Sequence, residues 1–132
     1  MDKAQGLAQE RGVFIETVVS SIEEFDLTEG EWQGIISIFF HLPPELRTKV
    51  NKAVVRGLAP GGILILESFT PQQLSFGTGG PPHAGRLVSL ATLEEEFEGL
   101  KFLVAQETER EIHEGRMHGG RSAVAQMVGV RV

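Results

Sequence analysis

The stretch Ile35-Ile36-Ser37-Ile38-Phe39-Phe40 is one of the two longest apolar runs of the chain, and it decides the fold. A run of this kind is typical of a strand buried on both faces, as in a parallel sheet covered by helices. The second run, Ile63-Leu64-Ile65-Leu66-Glu67, ends in an acidic residue. Both are far shorter than the ~20 apolar residues of a membrane-spanning helix, so the sequence predicts no contact with a membrane.

The segment between the two runs has the pattern of a helix. Pro43-Pro44 suits a helix start, because a proline in the first turn lacks only an N–H that would be unpaired there anyway. Apolar side chains then recur along one face of this helix, at Leu46, Val50, Ala53, Val54 and Leu58. Ala59-Pro60-Gly61-Gly62 is predicted to end the helix and turn the chain. Strand, helix and strand together predict a right-handed βαβ unit.

Before this unit, Ala4–Arg11 has helical spacing and ends at Gly12. Val13–Val19 is rich in β-branched residues, so we expect a strand there. After the unit, Thr70–Gly85 is rich in glycine and proline and predicts a long irregular loop, which in a compact domain is usually functional or disordered.

The last third of the chain carries the signals of a short helix and a hairpin. Thr92 and Glu95 have the spacing of a capping box, which predicts the start of a helix. Lys101–Ile112 and Ser122–Val132 alternate between apolar and polar residues, so they are expected to pair as antiparallel strands at one side of the sheet.

Composition limits the classes of function. With 132 residues the chain is long enough for one domain, residues 1–132. Its net charge of −6 and scattered basic residues argue against nucleic-acid binding and favour a small-molecule or neutral partner. The absence of cysteine excludes disulfides and thiol catalysis, and no signal peptide follows the first residue, so we expect a cytoplasmic protein.

Two motifs make the chain resemble the later part of a class I S-adenosylmethionine-dependent methyltransferase. The stretch from Trp32 to Pro44 resembles the fourth-strand motif of that family, and Leu58-Ala59-Pro60-Gly61-Gly62 resembles the turn before its fifth strand. The tail, with Gly79-Gly80-Pro81 and Glu109–Gly115, resembles a tellurite-resistance or thiopurine-methyltransferase branch. The resemblance implies a truncated Rossmann-like α/β sheet with strands equivalent to 3-4-5-7-6, the last one antiparallel, and helices on both faces.

The same resemblance shows what this sequence lacks. The family opens with a first strand and a G-x-G-x-G loop that holds the cofactor, and no such loop precedes Gly12. Gly77-Thr78-Gly79-Gly80 follows the fifth strand instead of the first, so it is no substitute. We therefore expect a partial site for S-adenosylmethionine and an enzyme that is inactive alone, with the remaining segment supplied by a longer chain or a partner.

The resemblance also assigns cofactor-binding residues. Ser21 and Ile22 fall where the family holds the adenine, with a turn-capping serine as the structural alternative for Ser21. Ser37, Ile38 and Phe39 fall beside the methionine part of the cofactor, at the carboxyl end of a parallel strand, where open α/β sheets bind ligands. For Ile38 and Phe39 the alternative is core packing.

Candidate residues for the methyl acceptor lie at the same edge and on the hairpin. Glu67 and Phe69 close the fifth strand, and Arg110 and His113 lie on the last hairpin. His41 is a candidate general base because histidine titrates near neutrality, and Glu67 is the second catalytic candidate. The structural alternatives are a surface histidine before the helix and a carboxylate satisfied by hydrogen bonds.

Arg110, His113, Glu114 and His118 also suggest a metal site. Imidazole and carboxylate are ordinary metal ligands, but these residues lie in a glycine-rich turn without rigid support. We therefore predict no metal.

Three functions remain open at this point. The chain is an incomplete methyltransferase acting on a small molecule, a stand-alone α/β interaction module, or another enzyme in which Glu67 and His41 form an acid–base pair. Without the first two strands of the family, Ile35–Phe40 would be an exposed sheet edge, which is prone to pairing. We therefore expect a homodimer, or a chain in which Val13–Val19 moves over to pair with this edge.

Overall fold

The computed structural model describes residues 2–76, 86–114 and 118–132. Eight elements follow one another: α1 (Asp2–Arg11), β1 (Trp32–Ile38), α2 (Pro44–Gly57), β2 (Leu58–Phe69), α3 (Gln73–Phe76), α4 (Leu90–Glu96), β3 (Leu100–Glu114) and β4 (His118–Arg131). None of the helices in these ranges is long and apolar enough to cross a membrane. The mixed α/β fold class predicted from the sequence is confirmed.

The four strands form one sheet in the order β1-β2-β4-β3. β1 runs parallel to β2, with Ile36 opposite Ile65 and Ile38 opposite Glu67. β4 runs antiparallel to β2 on its other side and antiparallel to β3. This order confirms a βαβ unit and the predicted hairpin, with the last strand lying between β2 and β3. The right hand of the crossover stays a prediction.

The turn predicted at Ala59–Gly62 lies inside β2 and interrupts its pairing with β1. α2 ends at Gly57, so Leu58 is the first residue of β2 and not the last of the helical stripe. The register jumps from Trp32 opposite Leu58 to Gly34 opposite Ile63, so the residues between bulge out. Gly62 is required there, because a Cβ would lie 2.8 Å from the carbonyl oxygens of Ala59 and Trp32.

The predicted strand at Val13–Val19 is wrong. The segment belongs to no helix or strand and pairs with none of the described strands, so it has not moved over to β1 either. Gln5 of α1 donates to the carbonyl of Ile15 and to the Thr17 hydroxyl, at 3.3 and 3.1 Å. A single strand without neighbours has no ladder hydrogen bonds and no pleated surface to pack on, which explains why β-branched residues alone did not produce one.

The main core lies between one face of the sheet and helices α2 and α4. Its buried members include Val54 of α2, Leu64 and Leu66 of β2, Leu93 of α4, and Phe97. On the opposite face, Ile36, Ile38 and Ile65 are 71%, 44% and 44% exposed. The helical cover predicted for both faces is therefore missing over β1 and β2 in the described part of the chain.

A carboxylate joins the two covering helices. Glu96 of α4 accepts two hydrogen bonds from Arg47 Nε and Nη2, at 3.0 Å each, and one from Asn51 Nδ2 at 2.9 Å. Thr48 Oγ1 donates a further bond of 2.8 Å. Burial alone would raise the pKa of Glu96, but these hydrogen bonds and the charge of Arg47 outweigh burial and lower that pKa below its ordinary value of 4.5.

The start of α4 differs from the predicted capping box. Ser89 is the N-cap, and its hydroxyl oxygen accepts from the backbone N–H of Thr92. The helix therefore begins two residues before the Thr92–Glu95 pair that predicted it.

Glu96→Gln should lower the free energy of unfolding by about 2–3 kcal/mol at pH 7, because the charge that four donors from α2 satisfy is removed. Since the folded pKa of Glu96 is lowered, its stabilisation is present above pH 4.5 and is lost as the pH falls through the folded pKa. Urea unfolding at pH 7 and across the acid range measures both effects.

The matched control is Glu95→Gln, on the exposed side of the same helix, which should change the free energy of unfolding by less than about 0.5 kcal/mol. Equal effects of the two variants, or a difference that grows towards low pH, would contradict this role of Glu96.

Candidate functional site

The carboxyl ends of β1 and β2 meet at one edge of the sheet. Parallel pairing aligns Ser37 with Leu66 and Ile38 with Glu67. Just beyond β1, the backbone N–H of Phe39 donates to the carbonyl of Glu67 at 2.8 Å. The structure therefore brings the candidates Ile38, Phe39, Glu67 and Phe69 to the same edge, where open α/β sheets bind their ligands.

Three aromatic rings stack at this edge. The Phe39 and Phe69 ring centroids lie 4.5 Å apart, and the His41 and Phe69 centroids lie 5.3 Å apart, with planes within 16° of parallel in both pairs. Phe69 is fully buried. Phe39 has a φ of 50°, which is rare for a residue with a bulky side chain. Such strain clusters at functional sites, and here it accompanies the turn of the chain after β1.

His41 is therefore placed as a member of an aromatic cluster. Its ring is half-buried against Phe69 and lies 6.3 Å from that of Phe39. The phenyl rings of Phe39 and Phe69 are apolar, so this cluster would help to exclude water from a ligand bound at the edge. A role of His41 as a general base stays a prediction.

Glu67 and Arg110 form the charged part of the site. Arg110 donates from Nε to Oε2 of Glu67 at 2.7 Å and from Nη2 to Oε1 at 2.5 Å, in the two-pronged geometry that fits a carboxylate. Gln126 Nε2 donates to Oε2 at 2.8 Å, and Gln106 Nε2 donates to Oε1 of Gln126 at 2.8 Å. Two candidates for substrate binding are thus in direct contact.

The surroundings of Glu67 favour its ionised form. Burial alone would raise the pKa of Glu67, but the hydrogen bonds from Arg110 and Gln126 and the charge of Arg110 outweigh burial and lower that pKa below 4.5. Both oxygens already accept bonds from Arg110, so proton transfer is a poor use of this carboxylate. The arrangement suits a fixed charge pair that orients a polar group of a ligand.

Ser37 points to the other side of the sheet. It is half-buried and lines a small cavity of about 20 Å³ together with Arg47, Asn51 and Leu66, on the face that α2 covers. Only its backbone is therefore well placed to border a ligand at the edge.

Ser21 and Ile22 lie elsewhere. Ser21 caps a turn, since its hydroxyl oxygen accepts from the N–H of Glu23 at 3.2 Å, which is the structural alternative considered for it. Ile22 lines an open cleft of about 770 Å³ with Ile15, Val18, Phe25 and Trp32. Trp32 begins β1, about 20 Å along the strand from its carboxyl end. The structure therefore does not bring Ser21 and Ile22 together with the candidates at the carboxyl ends of β1 and β2.

Part of the predicted acceptor region lies outside the described residues. This holds for residues 77–85 of the long loop and for the side chains of His113, Glu114 and His118. Within the described residues no group of three or more histidine, aspartate or glutamate side chains has the arrangement of a metal site.

Gln126 and Gln106 are the site residues that the sequence analysis missed. A signal was present, because Gln126 lies between Val124 and Val128 on the same face of β4. A polar side chain in such a row usually has a hydrogen-bonding partner.

Comparison with known proteins bears on the fold. No protein-family profile matches the sequence, and no curated protein matches it. Solved structures do match. TehB from Haemophilus influenzae superposes with a TM-score of 0.73 at 16% identity, over 97% of this chain and 45% of its own. An S-adenosylmethionine-dependent methyltransferase from Methanosarcina mazei gives 0.70 at 14% identity, over 98% and 76%.

The N-methyltransferase NodS from Bradyrhizobium japonicum, solved with S-adenosyl-L-homocysteine, gives 0.63 at 16% identity, over 99% of this chain and 63% of its own. The chain has the α/β fold of the parts of these structures that it covers. It spans only part of each of these structures, less than half of TehB and less than two thirds of NodS.

Arg110→Met should lower the free energy of unfolding by about 1–2 kcal/mol at pH 7, because it leaves the Glu67 carboxylate without its charged donor. The expected loss is below that of a fully buried pair, since the Arg110 side chain is 36% exposed. Urea unfolding measures it.

The control is Arg121→Met, which removes the partner of Glu109 in an ion pair whose side chains are 59% and 41% exposed. That variant should cost less than about 0.5 kcal/mol. A cost for Arg110→Met no larger than that of the control would contradict the role given to the Glu67–Arg110 pair.

Proposed function

We propose that this chain is the C-terminal portion of an S-adenosylmethionine-dependent methyltransferase acting on a small molecule, and that it requires a further segment to bind its cofactor tightly. The observation that carries the proposal is the sheet β1-β2-β4-β3, which superposes over 97–99% of this chain on methyltransferase-fold structures that are themselves longer. The sequence contains no G-x-G-x-G loop ahead of β1, which supports the need for a further segment.

The bound cofactor would supply a methyl group on a sulfonium sulfur, which the nucleophile of the acceptor would take by direct displacement while the sulfur leaves as a neutral thioether. The backbone of Ser37 and the side chains of Ile38 and Phe39 would border its methionine part, at the open carboxyl end of β1. The rings of Phe39, His41 and Phe69 would keep water from the reacting atoms. We keep Ser21 and Ile22 as the proposed adenine contacts, which the further segment would have to bring to the edge.

The methyl acceptor would lie against Glu67 and Arg110, with His113 as a further proposed contact. Phe69, which is fully buried, would support this site from within the core. The charge pair would orient a polar group of the acceptor, since alignment of nucleophile and methyl carbon is the main task of such a site. We place the chain nearest the tellurite-resistance and thiopurine branch on its tail motifs, and in the cytoplasm because it has no cysteine.

The alternative acid–base chemistry of Glu67 with His41 has less support. The lowered pKa of Glu67 and its two bonds from Arg110 favour a carboxylate that stays ionised. His41 stacks on Phe69.

Isothermal titration calorimetry with S-adenosylmethionine tests the proposal. The isolated chain should bind with a dissociation constant weaker than about 1 mM, because most of the contacts to the cofactor are missing. Fusion to the part of NodS that this chain does not cover should bring the constant to the micromolar range. The control is the same fusion with a glycine of the cofactor-binding G-x-G-x-G loop that is expected of this family changed to valine, which should fold and not bind.

Two results would contradict the proposal. One is micromolar binding by the isolated chain. The other is a fusion that is folded by circular dichroism and monodisperse, yet binds no better than the glycine variant.

A further inference from the structure

β1 is an unprotected edge strand. It pairs with β2 on one side, and no described strand lies on its other side. Since Phe39 donates to β2, the alternation of a strand directs the backbone groups of Gly34, Ile36 and Ile38 towards the open side. Trp32–Ile38 contains no charged residue and no proline, the residues that usually protect an edge from pairing.

An apolar surface continues from this edge across the uncovered face of the sheet. One row of cross-strand neighbours joins Ile36, Ile65, Val128 and Val104. Ile36 is 71% exposed, Ile65 44% and Val104 39%. A contiguous apolar patch of this kind marks an interaction site.

The segment Val13–Val19 also lacks a strand partner, and it exposes apolar side chains. Phe14 is 91% exposed and Val19 84% exposed, and no strand of the described sheet pairs with the segment. In an extended chain Val13, Thr17 and Val19 would face one side, and Phe14 and Val18 the other. Apolar groups on both sides are the pattern of a strand buried on both faces.

We propose that two copies of the chain exchange these segments, so that Val13–Val19 of each copy adds as a strand to the β1 edge of the other. One chain carries an unpaired segment of strand-like sequence and an unpaired sheet edge, and a reciprocal exchange would satisfy both in a single closed two-fold contact. The exchanged surfaces suit a chain of net charge −6, because Glu16 is the only charged residue in either strand.

Hydrogen bonds on each side keep Val13–Val19 and β1 apart within one copy. Gln5 ties Ile15 and Thr17 to α1. At the other end, Gly30 donates to the carbonyl of Arg56 at 2.9 Å and the Trp32 indole N–H donates to the carbonyl of Leu27, which fixes the chain before β1 against the end of α2.

The exchange and the proposed function involve the same edge and can be tested separately. The segment that would complete the cofactor site would add to β1 and compete with the second copy, so the exchanged dimer is the state of the isolated chain. If the exchanged dimer does not form, the calorimetric test of the proposed function still stands. If the calorimetric test fails, the test of the dimer still stands.

Light scattering after size-exclusion chromatography gives the first test. The isolated chain should be a dimer, and Ile36→Lys or Val18→Lys should shift it to monomer by placing a charge in the new strand pair. The control is Leu103→Lys, at a 61% exposed position on the opposite edge strand β3, which should remain a dimer. Circular dichroism checks that each variant is folded. A wild-type monomer at every concentration, or a control that dissociates equally, would overturn the proposal.

The lack of cysteine in the natural sequence allows a second test that does not depend on destabilising variants. Thr17→Cys and Ile36→Cys chains are mixed, unfolded, refolded and treated with a short bismaleimide. Cross-linked dimers should form in the mixture and not with either variant alone. Cross-linking of Ile36→Cys with itself would show β1 pairing with β1, and an intrachain link in the double variant would show pairing within one copy. Either result would overturn the exchange.

Discussion

The parallel ladder between β1 and β2, closed by the hydrogen bond from the Phe39 N–H to the Glu67 carbonyl, is the constraint on which the rest of the structure depends. It brings the ends of the two strands together. Phe39 then turns into the left-handed region, and its ring packs on Phe69. On the other side of β2, its pairing with β4 and the pairing of β4 with β3 bring the Glu67 carboxylate to Arg110. An apolar wall and a charge pair therefore meet at one edge.

The two faces of the sheet have unequal roles in stability. Helices α2 and α4 bury one face and are joined through Glu96 and Arg47, so this half of the molecule has a packed core of its own. On the other face, Ile36 and Ile65 remain in contact with water. Removing apolar surface from water stabilises a protein by about 25 cal/mol per Å². Covering this face would therefore be favourable, whether a completing segment or a second copy provides the cover.

Much of this fold could be predicted from local patterns. The continuous apolar runs Ile35–Phe40 and Ile63–Glu67 predicted the parallel strands. The helical period after Pro44 and the alternation of the hairpin predicted the other elements. Val13–Val19 was predicted wrongly because β-propensity describes how residues fit a pleated, half-buried surface, and that surface exists only when neighbouring strands are present.

The candidate site was predictable only in part. Glu67 and Arg110 were both singled out from the sequence, but their contact spans 43 positions and follows from the register of three strands. The placement of His41 in the stack with Phe69 depends on the turn at Phe39, whose positive φ has no signature in the sequence.

The most direct measurement is the set of nuclear Overhauser contacts between β1 and β2 in the isolated chain. A parallel ladder in the observed register predicts backbone contacts linking Ser37 with Leu66 and Ile38 with Glu67, together with slow exchange of the Phe39 amide hydrogen. Contacts that run in the antiparallel sense, or none between these strands, would contradict the shared edge and with it the likeness of this fold to the methyltransferase structures.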